Sequence, residues 1–416
     1  MTMTRLSLSL ACWGYDRTEA LQTGAVRPDG IDLNFQVLDV EETFFRMLRN
    51  REFDVAELSM SSYCVTLGRE NPGFIAIPVF PSRFFRHSCI FVSAKSGIEK
   101  PEDLVGKRIG VPEYQMTAPV WIRGILQDEY GIDPASVTYV TGGEEEPGRE
   151  EKLKLNLPDK FKVEPIGPTQ TLKRMLADGE IDALHTARAP STFYSEPGKV
   201  RRLFPNFVDV EKAYFAKTGI FPIMHVVAIR RDVYEKNRWI AQALYKAFVE
   251  AQRLSYEQLL VSASLKTMLP WQIAAVEDTI ATMGREWWPY GIEKNRHVIE
   301  TFTRYHHEQG LSPRDLSPAD IAERANSGSD PLCVSAARQW VTFLGRVIGD
   351  LSLVFLSLGG IVLTGGVTRS LARFLAEPEF INAFCAKGRQ QKLVSGIPVH
   401  LLDDDFAALA GCAARM

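Results

Sequence analysis

A chain of 416 residues is long enough for two or three domains with cores of their own. Its 45% hydrophobic and 24% charged residues are ordinary for a globular protein, and a formal net charge of −3 gives no reason to invoke nucleic acid or an anionic membrane as partner. Six scattered cysteines (Cys12, Cys64, Cys89, Cys333, Cys385 and Cys412) form no CxxC and no metal-like spacing, which reads as reduced thiols in a cytoplasm.

From the N-terminus, Leu6–Cys12 alternates leucine with serine and ends where a lipoprotein cysteine would stand. The apolar run is too short for a secretion signal, and Ser9 occupies a position that a lipobox fills with an aliphatic residue. The alternation instead predicts a first strand, Leu6–Leu10. A strand Ile31–Val37, a helix from Val40 to about Arg49, a strand Asp54–Leu58 and a helix from Ser61 follow. The stretch Pro81–Arg86 breaks the pattern, and His87–Ser93 reads as a strand passing between lobes. Next, Ile98–Val111 holds a capped turn, a tight glycine turn and a buried strand, and Thr117 starts a helix to about Tyr130. Residues 142–163 are charged and loop-like, with Glu144, Glu145 and Glu146 read as a solvated surface. Phe221–Ile229 is a return strand, and residues 232–310 carry amphipathic helical spacing almost throughout. His297, His306 and His307 fall on a late polar helix and read as surface, while Trp287 and Trp288 read as core.

Proline and serine at 312–318 and the Asn326–Asp330 stretch mark a linker, so a boundary is placed between 316 and 330. Beyond it, Leu351–Val367 lacks charges but contains four glycines and is slightly short for a membrane span, so it reads as a buried strand or helix of a soluble core. The expected division is 1–88 (first part of lobe 1), 89–220 (lobe 2), 221–320 (return to lobe 1 and C-terminal helices) and 321–416 (tail).

One internal echo organises the first part. Arg46–Glu57 is repeated 128 residues later by Arg174–His185, and each copy reads as a helix end, a polar turn and a short apolar strand. Ser59, Ser61 and Ser62 follow the first copy, and Thr186, Ala187 and Arg188 follow the second. Two such units predict two lobes, each presenting a strand end and a helix start to a shared cleft, where a small anion is the natural ligand.

Asp103–Val111 resembles the hinge-proximal segment of type II periplasmic binding proteins. Together with Arg83–Ser88, Gly110–Thr117 and Phe221–His225, it resembles the 4,5-dihydroxyphthalate decarboxylase group, a cytoplasmic enzyme branch of that two-lobed α/β fold, over about residues 5–320. The resemblance implies decarboxylation of 4,5-dihydroxyphthalate to protocatechuate, with a non-catalytic solute-binding protein for an aromatic or heteroaromatic acid as the alternative. In the tail, Asp330–Cys333, Phe343–Asp350, Gly359–Gly366, Lys387–Arg389 and Ile397–Val399 resemble the C-terminal end of bacterial glucokinase, an α/β fragment of a hexokinase-like, actin-like ATPase domain. No Asp-x-Gly-Gly-Thr phosphate segment occurs anywhere in the chain, so glucokinase activity is not expected.

Removing CO2 from such a diacid asks for a base or acceptor at a phenol, an acid near the ring and a cation for the retained carboxylate. It obliges no cofactor, and neither a metal site nor a Walker loop is recognised. His87, His185 and His225 stand at predicted strand ends or the return strand and are the candidate proton-handling groups. Arg86 and Arg188 are candidate carboxylate clamps; the alternative is a salt bridge to Glu57 or Glu113. Tyr15, Asp16 and Arg17 follow the first strand. Ser59, Ser61, Ser62 and Thr117 offer hydroxyls and helix N-termini, with ordinary capping as the alternative role. Glu113 and Tyr114 complete the substrate-binding set. The expected partner is a small aromatic carboxylate, and a homo-oligomer is compatible with the sequence.

Overall fold

The computed structural model describes residues 5–321, 331–364, 368 and 371–402. The chain divides into two compact units, residues 1–323 and 324–416, each described by itself below. The Asn326–Asp330 stretch, the Gly365-Gly366 pair and Cys412 lie outside the described residues.

The first unit contains eleven strands among the described residues: β1 (Leu6–Cys12), β2 (Ile31–Val37), β3 (Val55–Ser59), β4 (Phe74–Ile77), β5 (Ile90–Ser93), β6 (Arg108–Val111), β7 (Thr138–Thr141), β8 (Lys162–Pro165), β9 (Ala183–His185), β10 (Val200–Arg202) and β11 (His225–Arg230). They form two sheets, ordered β2-β1-β3-β11-β4 and β10-β5-β9-β6-β7-β8. Each lobe is therefore a mostly parallel sheet crossed by one antiparallel strand. In lobe 1, β1 runs parallel to β2 and β3, and β11 returns antiparallel between β3 and β4. In lobe 2, β6 runs parallel to β7 and β9, and β5 lies antiparallel between β9 and β10. Both orders are those of a type II binding-protein fold.

The leucine–serine alternation of β1 does what period two requires: Leu8 and Leu10 are buried, while Ser9 bonds Asp54 at the start of the β3 unit. All five residues of β3 are buried, as expected of a strand covered on both faces. The lobes are joined by two crossovers that pair with each other. Arg83 and Ile223 form an antiparallel bridge, the Phe84 N–H donates to Pro222 O at 3.1 Å, and the Met224 N–H donates to Ser82 O at 2.8 Å. This hinge lies slightly earlier than the sequence suggests. His87–Cys89 forms a 3₁₀ turn that enters lobe 2, and strand structure begins only at Ile90.

Helix Thr117–Tyr130 packs against helix Arg296–Glu308, where Gly124 leaves room for the Tyr305 ring. The Trp121 indole N–H donates to Ile223 O at 2.8 Å, tying that helix to the hinge. His306 is not a surface residue. It is fully buried, with Nε2 3.0 Å from Ser61 Oγ and Nδ1 on Ser312 Oγ, because the 312–316 segment folds back over the helix. Trp287 and Trp288 are both half-buried: Trp287 lies edge-on to Tyr256, while Trp288 packs on the margin of the core, where its indole donates to Phe80 O and its face carries Arg17.

In the second unit, helix Pro331–Phe355 packs on helix Pro378–Cys385. Gly345 and Gly349, one turn apart, let the Phe380 and Phe384 backbone approach closely. Two short parallel strands, Ile361–Leu363 and Val399–Leu401, lie beside a core of Val341, Ile348, Phe374, Phe380, Phe384, Val394 and Ile397. The buried element expected over 351–367 is not found in its described part. Leu351, Val354 and Phe355 end the long helix on an exposed face, and Val362 is exposed on a sheet of only two strands.

Candidate active site

A cleft of about 360 Å³ opens between the lobes of the first unit, large enough for a substituted benzene ring with its carboxylates. Its floor on the lobe 1 side is built from the ends of β1, β3 and β11. Glu57 projects from the fully buried β3, so its carboxylate must find partners there. His225 Nδ1 lies 2.6 Å from Oε1, the Tyr15 hydroxyl donates to the same oxygen at 2.6 Å, and Oε2 accepts the Trp13 N–H at 3.0 Å. Burial alone would raise this carboxyl, but the facing His225 and these donors hold it below the ordinary glutamate range. Glu57 is thus the ionised anchor of His225, and with Nδ1 so engaged, Nε2 is the nitrogen available to a ligand. Burial and the Glu57 charge conversely push the Tyr15 phenol well up.

Cations gather on the opposite wall. Arg86 is 5% exposed and makes no ion pair among the described residues. Its Nε points to Met224 Sδ at 3.1 Å, and Nη1 reaches Cys89 Sγ at 3.5 Å and Ala187 O at 3.4 Å. Burial lowers its affinity for the proton, and a bound carboxylate would oppose that shift. Arg149 bonds Glu113 at 2.6 and 3.0 Å, and Lys152 pairs with the same carboxylate. Arg188 pairs with Glu41 at 2.6 Å. Four cations therefore face the three carboxylates of Asp39, Glu41 and Glu113 around the cleft, and Arg86 is the one without a carboxylate partner. Phe44, Phe84 and Trp13 supply apolar surface for a ring.

A hydroxyl pair closes the deep end. Ser59 Oγ lies 2.8 Å from Thr117 Oγ1, which also accepts the Ser61 N–H at 3.0 Å; here two helix N-termini from opposite lobes meet. Ser59 caps its own helix as well, accepting from the Ser62 N–H, so capping and cleft-lining coincide.

Of the residues singled out from sequence, Tyr15, Ser59, Ser62, Arg86, Glu113, Thr117, Arg188 and His225 line this cleft. The others lie elsewhere. The three histidines do not converge. His87 is enclosed by Tyr130, Phe204 and Tyr214, and burial lowers it to about 4. His185 is buried beside Arg123 and Tyr139 with neither ring nitrogen hydrogen-bonded, and burial with the Arg123 charge lowers it to about 3. Asp16 and Arg17 border a separate 100 Å³ recess, where the Arg17 guanidinium is sandwiched between Tyr15 and Trp288 at 4.0 and 4.2 Å. Ser61 is buried one layer behind the wall on His306. Tyr114 sits under Arg123 and donates to Gln309 O at 3.2 Å.

Sequence reasoning missed Glu41, Arg149 and Lys152, whose partners are distant in the chain. The mixed charges of 144–152 were the one available signal for Arg149 and Lys152. That stretch also contains a correction: Glu144 is buried, not solvated. Its Oε2 accepts the Thr186 hydroxyl at 2.5 Å, its Oε1 has no partner, and burial raises the carboxyl to about 7.

Among the described residues, no cluster of three or more histidine, cysteine or carboxylate groups has the geometry to hold a metal, and no helix is long and apolar enough to cross a membrane.

Comparison with known proteins gives two separate matches. The chain is 40% identical over 324 residues to a 4,5-dihydroxyphthalate decarboxylase of Comamonas testosteroni, covering 78% of this chain and 98% of that one. It is 48% identical over 202 residues to a protein of the same name from Pseudomonas putida, covering 49% of this chain and 78% of that one. The family model for glucokinase matches residues 293–416, and the model for the phosphonate ABC transporter periplasmic substrate-binding protein matches residues 19–147. A glucokinase of Allorhizobium ampelinum is 34% identical over 119 residues, covering 29% of this chain and 35% of that enzyme; the chain thus spans about a third of that relative's length. Among solved structures, a putative periplasmic sulfonate-binding protein of Methylobacillus flagellatus aligns with a TM-score of 0.46 at 13% identity, covering 80% of this chain and 94% of that one.

Proposed function

The chain belongs to the 4,5-dihydroxyphthalate decarboxylase family, and from that premise we propose that the interlobe cleft releases one carboxylate of 4,5-dihydroxyphthalate as CO2 and leaves protocatechuate. The observation that carries the reading to this site is the Glu57–His225 pair facing an arginine-lined cleft. In the substrate, each carboxylate is para to a hydroxyl. With Nδ1–H held by Glu57, His225 Nε2 accepts the proton of that phenol, and the phenolate raises electron density at the ring carbon bearing the carboxylate. A proton from solvent adds there, giving a dienone. The carbon–carbon bond then breaks, its electron pair restores the aromatic ring, and CO2 departs while His225 returns its proton to the phenolate. One proton is consumed overall, and no oxidant enters. Arg86 holds the retained carboxylate. The reaction fits a cytoplasmic protein with reduced cysteines.

The match of residues 19–147 to a transporter's binding component favours one alternative, binding of the aromatic acid without turnover. Incubating the full chain with 4,5-dihydroxyphthalate while following CO2 and protocatechuate by chromatography separates the two. Catalytic turnover is expected; saturable binding without CO2 would leave only the alternative. The tail adds no phosphotransfer in this reading, because it matches only a third of a glucokinase and the chain lacks the phosphate segment.

A further inference from the structure

Glu41 stands on helix Val40–Phe45 in lobe 1, and its two oxygens are divided between two arginines of lobe 2. Arg188 Nη2 lies 2.6 Å from Oε1, and Arg149 Nη1 lies 3.1 Å from Oε2. The two arginines are held differently. Arg149 has a second anchor in Glu113, whereas Arg188 has a side chain 58% exposed and Glu41 as its ion-pair partner. All three residues, with Met116, line both the cleft and a neighbouring chamber of about 400 Å³. The clasp is therefore a partition between two open volumes, with side chains that have space to move on either side. A carboxylate entering the cleft meets a guanidinium already occupied by a carboxylate.

We propose that Glu41 is an internal competitor for the arginines: it lowers the affinity of the cleft for diacids and leaves its affinity for monoacids as it is. A ligand with one carboxylate is satisfied by Arg86 and leaves the clasp intact. A ligand with two adjacent carboxylates places the second against Arg188 and displaces Glu41 from it, while Arg149 stays on Glu113. The exchange replaces one charge-assisted bond by a like one, so the second carboxylate of a diacid gains little net binding from Arg188 while Glu41 holds it. This assignment rests on reading the cleft as an aromatic diacid site.

The test uses the full chain, with phthalate and benzoate as probes in isothermal titration, because neither carries the phenol needed for turnover. Glu41→Gln keeps the shape and removes the competing charge. It should tighten phthalate binding roughly tenfold and leave benzoate nearly unchanged. Adding Arg188→Ala should abolish that gain, and Glu41→Ala should shift phthalate in the same direction as Glu41→Gln. Phthalate binding unchanged or weakened in both Glu41 variants, with normal turnover of 4,5-dihydroxyphthalate by the wild type, would overturn the competitor role alone. Absence of both phthalate binding and turnover in the wild type would overturn the diacid reading and this proposal with it.

Discussion

The two lobes use one strand arrangement for opposite purposes. Leu10 faces Val55 and Ala11 faces Ala56 in lobe 1; Ile109 faces Ala183 and Gly110 faces Leu184 in lobe 2. On the other side, Val227 of β11 faces Glu57, and Ile90 of β5 faces His185. Glu57 and His185 are therefore the same position of the repeated unit. In lobe 1, that position holds an ionised carboxylate wired to His225 and the cleft; in lobe 2, it holds a buried imidazole beside Arg123 with neither ring nitrogen hydrogen-bonded. The repeat determines where strands end and helices begin. What each end does depends on whether an adjacent strand supplies a polar partner.

Breaking the comparison at its centre should give the largest effect. Glu57→Gln removes the charge that orients His225, and kcat should fall about a hundredfold to a thousandfold with KM little changed. His185→Leu, at the equivalent position of lobe 2, should keep wild-type kcat. Steady-state kinetics on the two variants decides the matter, and equal losses in both would deny the lobes their separate roles.

Much of this contrast was legible in the sequence, and the rest was not for definite reasons. The repeat, the strand starts and the helix at Thr117 were readable because glycine turns, caps and periodicity are local. The cleft positions of Arg86, Arg188, Ser59 and His225 followed from lying at strand ends or crossovers. Which way a histidine at such an end points was not readable, and so His87 and His185 were grouped with His225. Nor was the burial of Glu144, because a run of three glutamates reads as solvent-facing until Thr186, forty-two residues later, covers it. The exposed apolar face of the tail has a similar origin: its pattern reads as core, and the described residues provide only two strands to cover it.

Glu144 sharpens the comparison through pH. Its carboxyl is raised to about 7 in the folded chain, so the native state binds more protons than the unfolded one between roughly pH 4.5 and 7. The stability from this group is thus complete in mild acid and lost as pH rises through that window. Glu144→Gln should flatten the slope and stabilise the protein by about 3 kcal/mol at pH 8, as measured by denaturant unfolding at pH 5 and 8. The ionised Glu57 of lobe 1 should give the opposite slope in acid. A wild-type slope retained in Glu144→Gln would place the titration elsewhere.

Arg86→Ala tests the cationic wall against the lobe 1 dyad. Loss of one charged hydrogen-bonding partner should cost about 1.5–3 kcal/mol in kcat/KM, mostly through KM. A loss confined to kcat would instead assign Arg86 to the chemical step.

The smallest effect concerns the turn that precedes each of the paired strands. Arg51 and Gly179 are corresponding residues of the echo, and both close their helix with positive φ, 51° and 79°. Glycine adopts that conformation freely, whereas a residue with a Cβ meets a carbonyl oxygen and is strained by about 1 kcal/mol. In lobe 2, the sequence places Gly at the position that needs it. In lobe 1, the same turn is made by Arg, after a final helical turn widened to the π form over Arg46–Asn50. The Arg51 backbone carbonyl accepts a bond from Arg230 at 3.2 Å, which any residue at this position would preserve. The guanidinium also lies against Gly73, a contact that glycine would forfeit. Relief of backbone strain exceeds a part-exposed contact of that kind, while the freer unfolded chain offsets some of the gain. Arg51→Gly should therefore stabilise the protein slightly, by about 0.5 kcal/mol, with kcat unchanged. Gly179→Arg should destabilise by about 1 kcal/mol or more, since Lys95 already packs against that position. Thermal unfolding of the two exchanges measures the asymmetry directly, and a destabilised Arg51→Gly would mean that the Gly73 contact, not the backbone, governs the lobe 1 turn.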